Sequence, residues 1–359
     1  MTQRERQILQ MIEADPMISQ ADLAQALGIT RSSVAVHISN LIKKGHIAGK
    51  GYVLRSGTYA VVIGGVNMDI GGTSYAPLVG EDSNPGLVRL SLGGVGRNIA
   101  HNLSLMGVDI HLLTAYGDDL YGQKVAASCS ELGIDLSHAL RLSDQRTSTY
   151  LYINDHRGDM ALAVSDMSIC DKITPAYLAS NLSLLQNAQV VVTDTNIPAE
   201  SLQWLADNVT VPIFCDPVST IKAEKLRPIL GKLHTLKPNK IEAELLSGIK
   251  IETMEDVETA AQALLDTGLR RVFISMGAEG VYGATHAERM HLPNRPVNLV
   301  NTTGCGDAFM AAIVWAYLEG TDLEGTLSAG LAASSIAIEC AETINPSMSS
   351  QLLRSRMNP

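Results

Sequence analysis

The residues whose types and spacing carry the most chemistry are Asn301-Thr302-Thr303-Gly304-Cys305-Gly306-Asp307, followed by an apolar run from Met310 to Leu318. The run reads as a buried helix and Val297-Asn298-Leu299-Val300 ahead of it as a strand, so a turn of small residues opens directly onto a helix N-terminus. Gly304 and Gly306 let backbone N–H groups face a ligand without side chains in the way. The unpaired first-turn amides and the helix dipole favour an anion there. Asp307 is a carboxylate set beside that anion nest, a placement suited to taking a proton from an attacking hydroxyl. Read alone, it has a plainer alternative as a helix cap.

Other polar groups recur at the ends of predicted strands. Tyr59–Ile63 is a buried-strand run ending in Gly64-Gly65-Val66-Asn67-Met68-Asp69. The G-x-G-x-x-G spacing of a dinucleotide site is absent there. Asn67 and Asp69, two apart, point the same way and can chelate vicinal hydroxyls of a sugar or simply cap a turn. Gly93-Gly94-Val95-Gly96-Arg97-Asn98 opens a helix running to Leu105, with glycines for close backbone approach and Asn98 one turn in. Segments 147–154 and 160–165 form a hairpin, with Asp166 at its exit as a further candidate substrate contact. Downstream, strands at 190–194, 213–216, 235–237 and 272–276 alternate with helices at 199–207, 240–247 and 256–267, as βαβ units require. Their C-terminal ends carry Asp194, Asp216, Lys237-Pro238-Asn239 with Glu242, and Ser275 to Gly280, where open α/β sheets place ligands. Lys237, Asp194 and Asp216 are well placed, though folding alone explains each. A Walker A motif is absent.

The elements that must hold these residues fall into two parts. The chain has 359 residues, 46% hydrophobic, with a net charge of −10. No apolar run reaches membrane-spanning length, and the polar N-terminus is not a signal peptide. Five scattered cysteines without a C-x-x-C pair point to reduced thiols, hence a cytoplasmic protein, and away from zinc or disulfides. Residues 1–55 carry seven Lys/Arg and four Asp/Glu, a small basic head on an acidic body. The head reads as helices at 3–14, 20–27 (capped by Ser19, stopped by Gly28) and 31–45 (capped by Thr30), then a hairpin at 46–54. Arg31, Ser32, Ser33 and His37 lie on the exposed start of the third helix, and Lys50 at the hairpin tip can lie along a phosphate backbone. This pattern resembles the winged helix-turn-helix of small bacterial regulators and implies a DNA operator as partner. The alternative is a helical dimerisation module. The pattern breaks at 55–57.

From 58 to about 350 the motifs, taken in order, resemble the ribokinase-like (PfkB) family of carbohydrate and nucleoside kinases. The likeness rests on Gly93-Gly94-Val95-Gly96-Arg97-Asn98 and Thr302-Thr303-Gly304-Cys305-Gly306-Asp307. Asn67-x-Asp69, Asp82-Ser83-Asn84-Pro85-Gly86 and Asp119-Leu120-Tyr121-Gly122-Gln123 bring it nearest to the bacterial pseudouridine-kinase subgroup, some of whose members carry a helix-turn-helix in front. The resemblance implies a three-layer α/β/α sandwich over 58–359 with a small β-sheet lid at about 68–92 and 140–166. It implies ATP and Mg2+, Asp307 as catalytic base, and the amides of Gly304, Cys305 and Gly306 as anion hole. Asn67, Asp69, Gly93, Gly94 and Asn98 match sugar-binding positions. Asn239 and Glu242 match the N-x-x-E motif that organises Mg2+ through water. Ser275, Gly277 and Gly280, with Asn239, Thr303, Gly304 and Gly306, match the nucleotide site.

Departures narrow this. Asn301 stands where cation-activated members carry Asp, so the resemblance does not extend to a monovalent-cation requirement. Cys305 replaces the usual alanine, and Val95 stands where ribokinases proper tend to have lysine, which argues against free ribose. The sequence thus points to a kinase acting on the 5′-hydroxyl of a nucleoside, first pseudouridine, then other nucleosides, then ribose or fructose. The competing class is a transcriptional regulator using the kinase-like part as ligand sensor. Paired heads and the lid-sheet edge suggest a homodimer.

Overall fold

The computed structural model describes residues 2–15, 18–44, 46–47, 59–294 and 296–357. The chain divides into two compact units, Met1–Thr58 and Tyr59–Pro359.

In the first unit, helices span Gln3–Ala14, Gln20–Leu27 and Arg31–Lys43. Each starts where a hydroxyl side chain accepts a first-turn amide: Thr2 from Glu5, Ser19 from Asp22 and Thr30 from Ser33. Gly28 ends the second helix with φ +62°, the left-handed conformation a glycine C-cap supplies. Ile8, Ile12, Leu23, Val34, Ile38 and Leu41 form its core, and Lys44 bonds the buried Glu5 at 2.8 Å, tying the first helix to the end of the third. Lys50, most of the hairpin expected at 46–54, and the boundary at 55–57 lie outside the described residues.

The second unit is built on an eight-stranded sheet. Its order is Arg289–Leu292, Val281–Thr285, Arg271–Ser275, Thr235–Leu236, Ile213–Asp216, Val190–Asp194, Tyr59–Ile63, Asp109–Leu113. The last six pair in parallel, and the first two join as antiparallel strands. Alternation along Tyr59–Ile63 shows why the unit has three layers. Tyr59, Val61 and Ile63 enter one core while Ala60 and Val62 enter the other, so both faces are covered. The helix Cys305–Leu318 is buried on nearly all sides from Ala308 to Ala316, as an unbroken apolar run requires.

A second sheet of four strands, in the order Gly86–Gly93, Asn67–Ser74, Thr149–Asn154, Met160–Asp166, forms the lid. Residues 140–142 are not part of it; they pair with Ala115–Gly117 in a separate two-stranded sheet. A second correction concerns 297–300, read above as a strand. The apolar residues there are exposed, with Leu299 at 67%. The amides of Val300 and Asn301 instead donate to the carbonyl of Ile338, capping the end of the helix Leu323–Ile338 rather than joining a ladder.

Candidate active site

Because the six parallel strands run the same way, their C-terminal ends bring Gly64, Asp194, Asp216, Lys237 and Ser275 to one edge of the sheet. The helix Cys305–Leu318 points its N-terminus into this neighbourhood. Its cap, Gly304, has φ +82°, and a Cβ there would sit 2.2 Å from the carbonyl of Thr343, so only glycine fits. Among the described residues no side chain caps this terminus. The Cys305 amide leans on the Thr302 carbonyl at 3.4 Å, which leaves the Gly306 and Asp307 amides as the better donors to an incoming anion.

Asp307 accepts a hydrogen bond from Asn98 Nδ2 at 2.8 Å, across 209 positions of sequence. Burial foremost, then the negative charge of Asp216, pushes its pKa up to about 7, against the Asn98 bond and the charge of Lys237. Lys237 is buried and pairs with Asp216 at 3.1 Å. Burial opposes its charge, but Asp216 and Glu242 outweigh that and raise its pKa. Its Nζ lies 3.5 Å from where a Gly306 side chain would begin, so a fixed cation stands beside the helix N-terminus. A proton acceptor poised near neutrality, bare amides and a buried ammonium together suit a reaction in which an alcohol attacks an anionic centre.

Asp194 is fully buried and accepts from Gly65 N, Gly96 N and Asn196 N at 2.8–2.9 Å. It stitches the turn after the first strand to the start of the helix Val95–Leu105, and so places Asn98. Gly94, the cap of that helix, has φ +99°, and a Cβ would meet the Gly65 carbonyl at 2.4 Å. A Cβ on Gly93 would meet Asp69 Oδ2 at 2.3 Å, so Asp69, Gly93, Gly94, Asn98 and Asp307 form one continuous chain of neighbours. Asn67 donates to Asp69 Oδ1 at 2.5 Å. Burial raises the pKa of Asp69, with the Asn67 bond and the nearby Arg97 charge opposing. Arg97, a cation only 4% exposed that donates to Ser128 Oγ, is a positioning element the sequence reading passed over, since nothing local marks an arginine in a helix start as buried.

Asn239 and Glu242 form a reciprocal capping box, each side chain bonding the other's backbone amide at 2.9 Å. Burial raises the pKa of Glu242. Ser275 is bridged to Asn239, and Gly277 and Gly280, with φ of +58° and +96°, shape the adjoining turn. Thr303 is exposed, its amide bonding Asn301 Oδ1, while Asn301 Nδ2 bonds the Ala341 carbonyl.

Asp166 is not brought to this site. Register sets it level with Thr149 and Met68, one residue out of step with Asp69, and so on the opposite face of the lid. Its Oδ1 accepts from the amide and hydroxyl of Ser168, a turn-capping role. In the head, Arg31 and Ser32 are exposed, Ser33 bonds Thr30, and His37 is half-buried with Nδ1 unpartnered among the described residues.

A three-layer α/β/α body with a β lid, and a buried carboxylate at a helix N-terminus that no side chain caps among the described residues, is the setting of the class the comparisons identify, kinases that phosphorylate an alcohol. Residues 57–350 match the family model described as pfkB family carbohydrate kinase, and residues 1–47 that of winged helix-turn-helix DNA-binding. The chain is 39% identical to "Uncharacterized sugar kinase YeiI" of Escherichia coli, over 97% of both chains. It is 41% identical to the pseudouridine kinase of Escherichia coli, over 82% of this chain and 95% of that one. A solved ribokinase of Arabidopsis thaliana, complexed with ribose and ATP, superposes with a TM-score of 0.75 at 23% identity, over 84% of this chain and 99% of the other. The chain belongs to the pfkB family of carbohydrate kinases and carries a winged helix-turn-helix ahead of its kinase domain.

Proposed function

We propose that the chain transfers the γ-phosphate of ATP to the 5′-hydroxyl of a nucleoside, pseudouridine, and that its head binds a DNA operator. The observation that carries the kinase reading is Asp307, raised to about 7 and held by Asn98 at the N-terminus of Cys305–Leu318. In this reading Asp307 accepts the proton of the attacking hydroxyl. The Gly306 and Asp307 amides, Gly304 beneath them and Lys237 receive the charge of the transferring group. Asn67, Asp69, Gly94 and Asn98 hold the sugar. Ser275, Gly277, Gly280 and Thr303 border the nucleotide.

The residues fit Mg2+ held at a distance. Among the described residues no cluster of three or more His, Cys, Asp or Glu could hold a metal directly. Glu242, buried and with Oε2 engaged in the capping box, would hold the water shell of such a metal through Oε1. When bound, Mg2+ neutralises phosphate charge. Asn301 Oδ1 accepts from the Thr303 amide and its Nδ2 donates to the Ala341 carbonyl, and as a neutral amide it lacks the negative charge an aspartate would bring to a monovalent cation.

The choice of pseudouridine rests on the 41% identity to a pseudouridine kinase. ATP-dependent phosphorylation across pseudouridine, uridine, inosine, adenosine, ribose and fructose, with K+ replaced by choline in parallel, tests it. Preferred turnover of pseudouridine, unchanged in choline, is the expected result. Preference for another acceptor replaces the substrate, and no turnover with ligand-dependent operator binding favours a sensor.

A further inference from the structure

We infer that the lid face carrying Asp69 holds a nucleobase-recognition site, formed by Arg89, Asn154, Thr73 and a Tyr152 ring laid over Gly71. The inference rests on the nucleoside reading above and names the part of that site which distinguishes one acceptor from another.

Register supplies the argument. Side chains on one face of a sheet recur every second residue, about 7 Å apart along a strand. The row through Asp69 contains Ser91, Tyr150 and Ser165. The next row on the same face contains Arg89, Gly71, Tyr152 and Ala163, and the one after it Leu87, Thr73 and Asn154. The row of Arg89 and Tyr152 is thus the next polar surface along the lid face from a ribose whose hydroxyls meet Asn67 and Asp69. A groove of about 320 Å³ lies there, bounded by Thr73, Tyr75, Leu87, Arg89, Tyr152 and Asn154 with Gly71 beneath Tyr152. That is the low end of small-ligand pockets and suits one base.

The groove's chemistry matches a planar ring with carbonyl acceptors and N–H donors. Gly71 lets the Tyr152 ring lie close against the sheet; a Cβ there would be 2.4 Å from both Cζ and the hydroxyl. Tyr152 thus presents an aromatic surface, with Tyr150 5.8 Å behind it. Arg89 supplies donors only and Asn154 both a donor and an acceptor. The side chains of Thr73, Arg89, Tyr152 and Asn154 make no hydrogen bond or ion pair among the described residues, so their polar atoms are free for a ligand. A free pentose carries no ring to meet them, so contacts here would tell a nucleoside from a sugar.

The test is steady-state kinetics of full-length Arg89→Met, Asn154→Ala and Gly71→Ala with pseudouridine and uridine, each checked by thermal melting. All three positions lie on the lid. Arg89 is exposed and Asn154 half-buried, so those two substitutions leave folding intact. A rise in nucleoside KM of about tenfold or more in the Arg89 and Asn154 variants, with KM for ATP unchanged, is expected of lost ground-state contacts. Unchanged nucleoside KM in folded, active Arg89 and Asn154 variants overturns the base site while leaving the nucleoside kinase standing. A wild-type enzyme that phosphorylates free sugars and no nucleoside overturns the parent reading and the base site with it.

Discussion

At the scale of single residues, Asp307 concentrates both the chemistry and its energetic conflict. Its pKa of about 7, raised from 3.8, means that the folded carboxyl keeps its proton across most of the acidic range. The proposed base is available only once ionised, so kcat/KM is expected to rise with pH and level off above about 7. Stability moves the other way. Between pH 3.8 and about 7 the folded state binds more protons than the unfolded, so stability falls as pH rises through that window. Asp307→Asn therefore loses about 10²-fold or more in kcat, loses this limb of the stability–pH curve, and melts a few degrees higher than wild type at pH 8. A pH-stability curve measured by calorimetry on both proteins checks the pair of effects. A variant that is inactive but no more stable at pH 8 would show that burial does not oppose the charge.

Elements position these residues through close backbone approach as well as through the Asp194 carboxylate. The start of the helix Val95–Leu105 touches the turn after the first strand so closely that Gly94 and Gly96 cannot carry a side chain; a Cβ on Gly96 would lie 2.8 Å from Gly64 Cα. Gly94→Ala is expected to displace Asn98 from Asp307 and lower both melting temperature and kcat/KM. Gly107→Ala separates strain from collision. Gly107 also has positive φ, +84°, but nothing lies within 4 Å of its Cβ position. That variant should lose only about 1 kcal/mol, from backbone strain, and keep wild-type kcat/KM. Equal activity loss in the two variants, read by the same assay and melt, would remove the close approach as the reason for glycine at 94.

At the scale of the whole molecule, the lid has two unlike faces. One carries Asp69 and the proposed base groove. The other exposes Val88 and Leu90 on one edge strand and Leu162 and Val164 on the other, each more than half exposed, in rows completed across the two middle strands by Ile70, Leu151 and Ile153. An apolar surface on this scale marks an interaction site, and we propose that a second copy of the chain covers it in a two-fold arrangement. A homodimer would also supply two heads, which would raise the affinity of the small basic domain for an operator with two half-sites. Leu162→Glu should shift the sedimenting species from dimer to monomer and weaken binding to a palindromic site. A dimer that persists in this variant places the interface elsewhere.

What the sequence determined by itself is what short-range forces determine. The capped helices of the head, the alternating body, the lid hairpin and the glycine turn before Asp307 depend on caps, periodicity and φ angles within a few residues, and all are present. The strand read at 297–300 shows the limit. Its β-prone residues found a helix-end carbonyl instead of a ladder, a choice made by distant chain. Asp166 shows it again, because one residue of register decides the face on which a side chain stands. Only the tertiary structure could bring Asn98 to Asp307, Asp194 to two glycine amides, and Lys237 beside Gly306. The raised pKa of Asp307 has the same origin. Burial and neighbouring charge act through space, and the charged residues that act on it, Lys237, Asp216 and Asp194, lie 70 to 113 positions away in the chain.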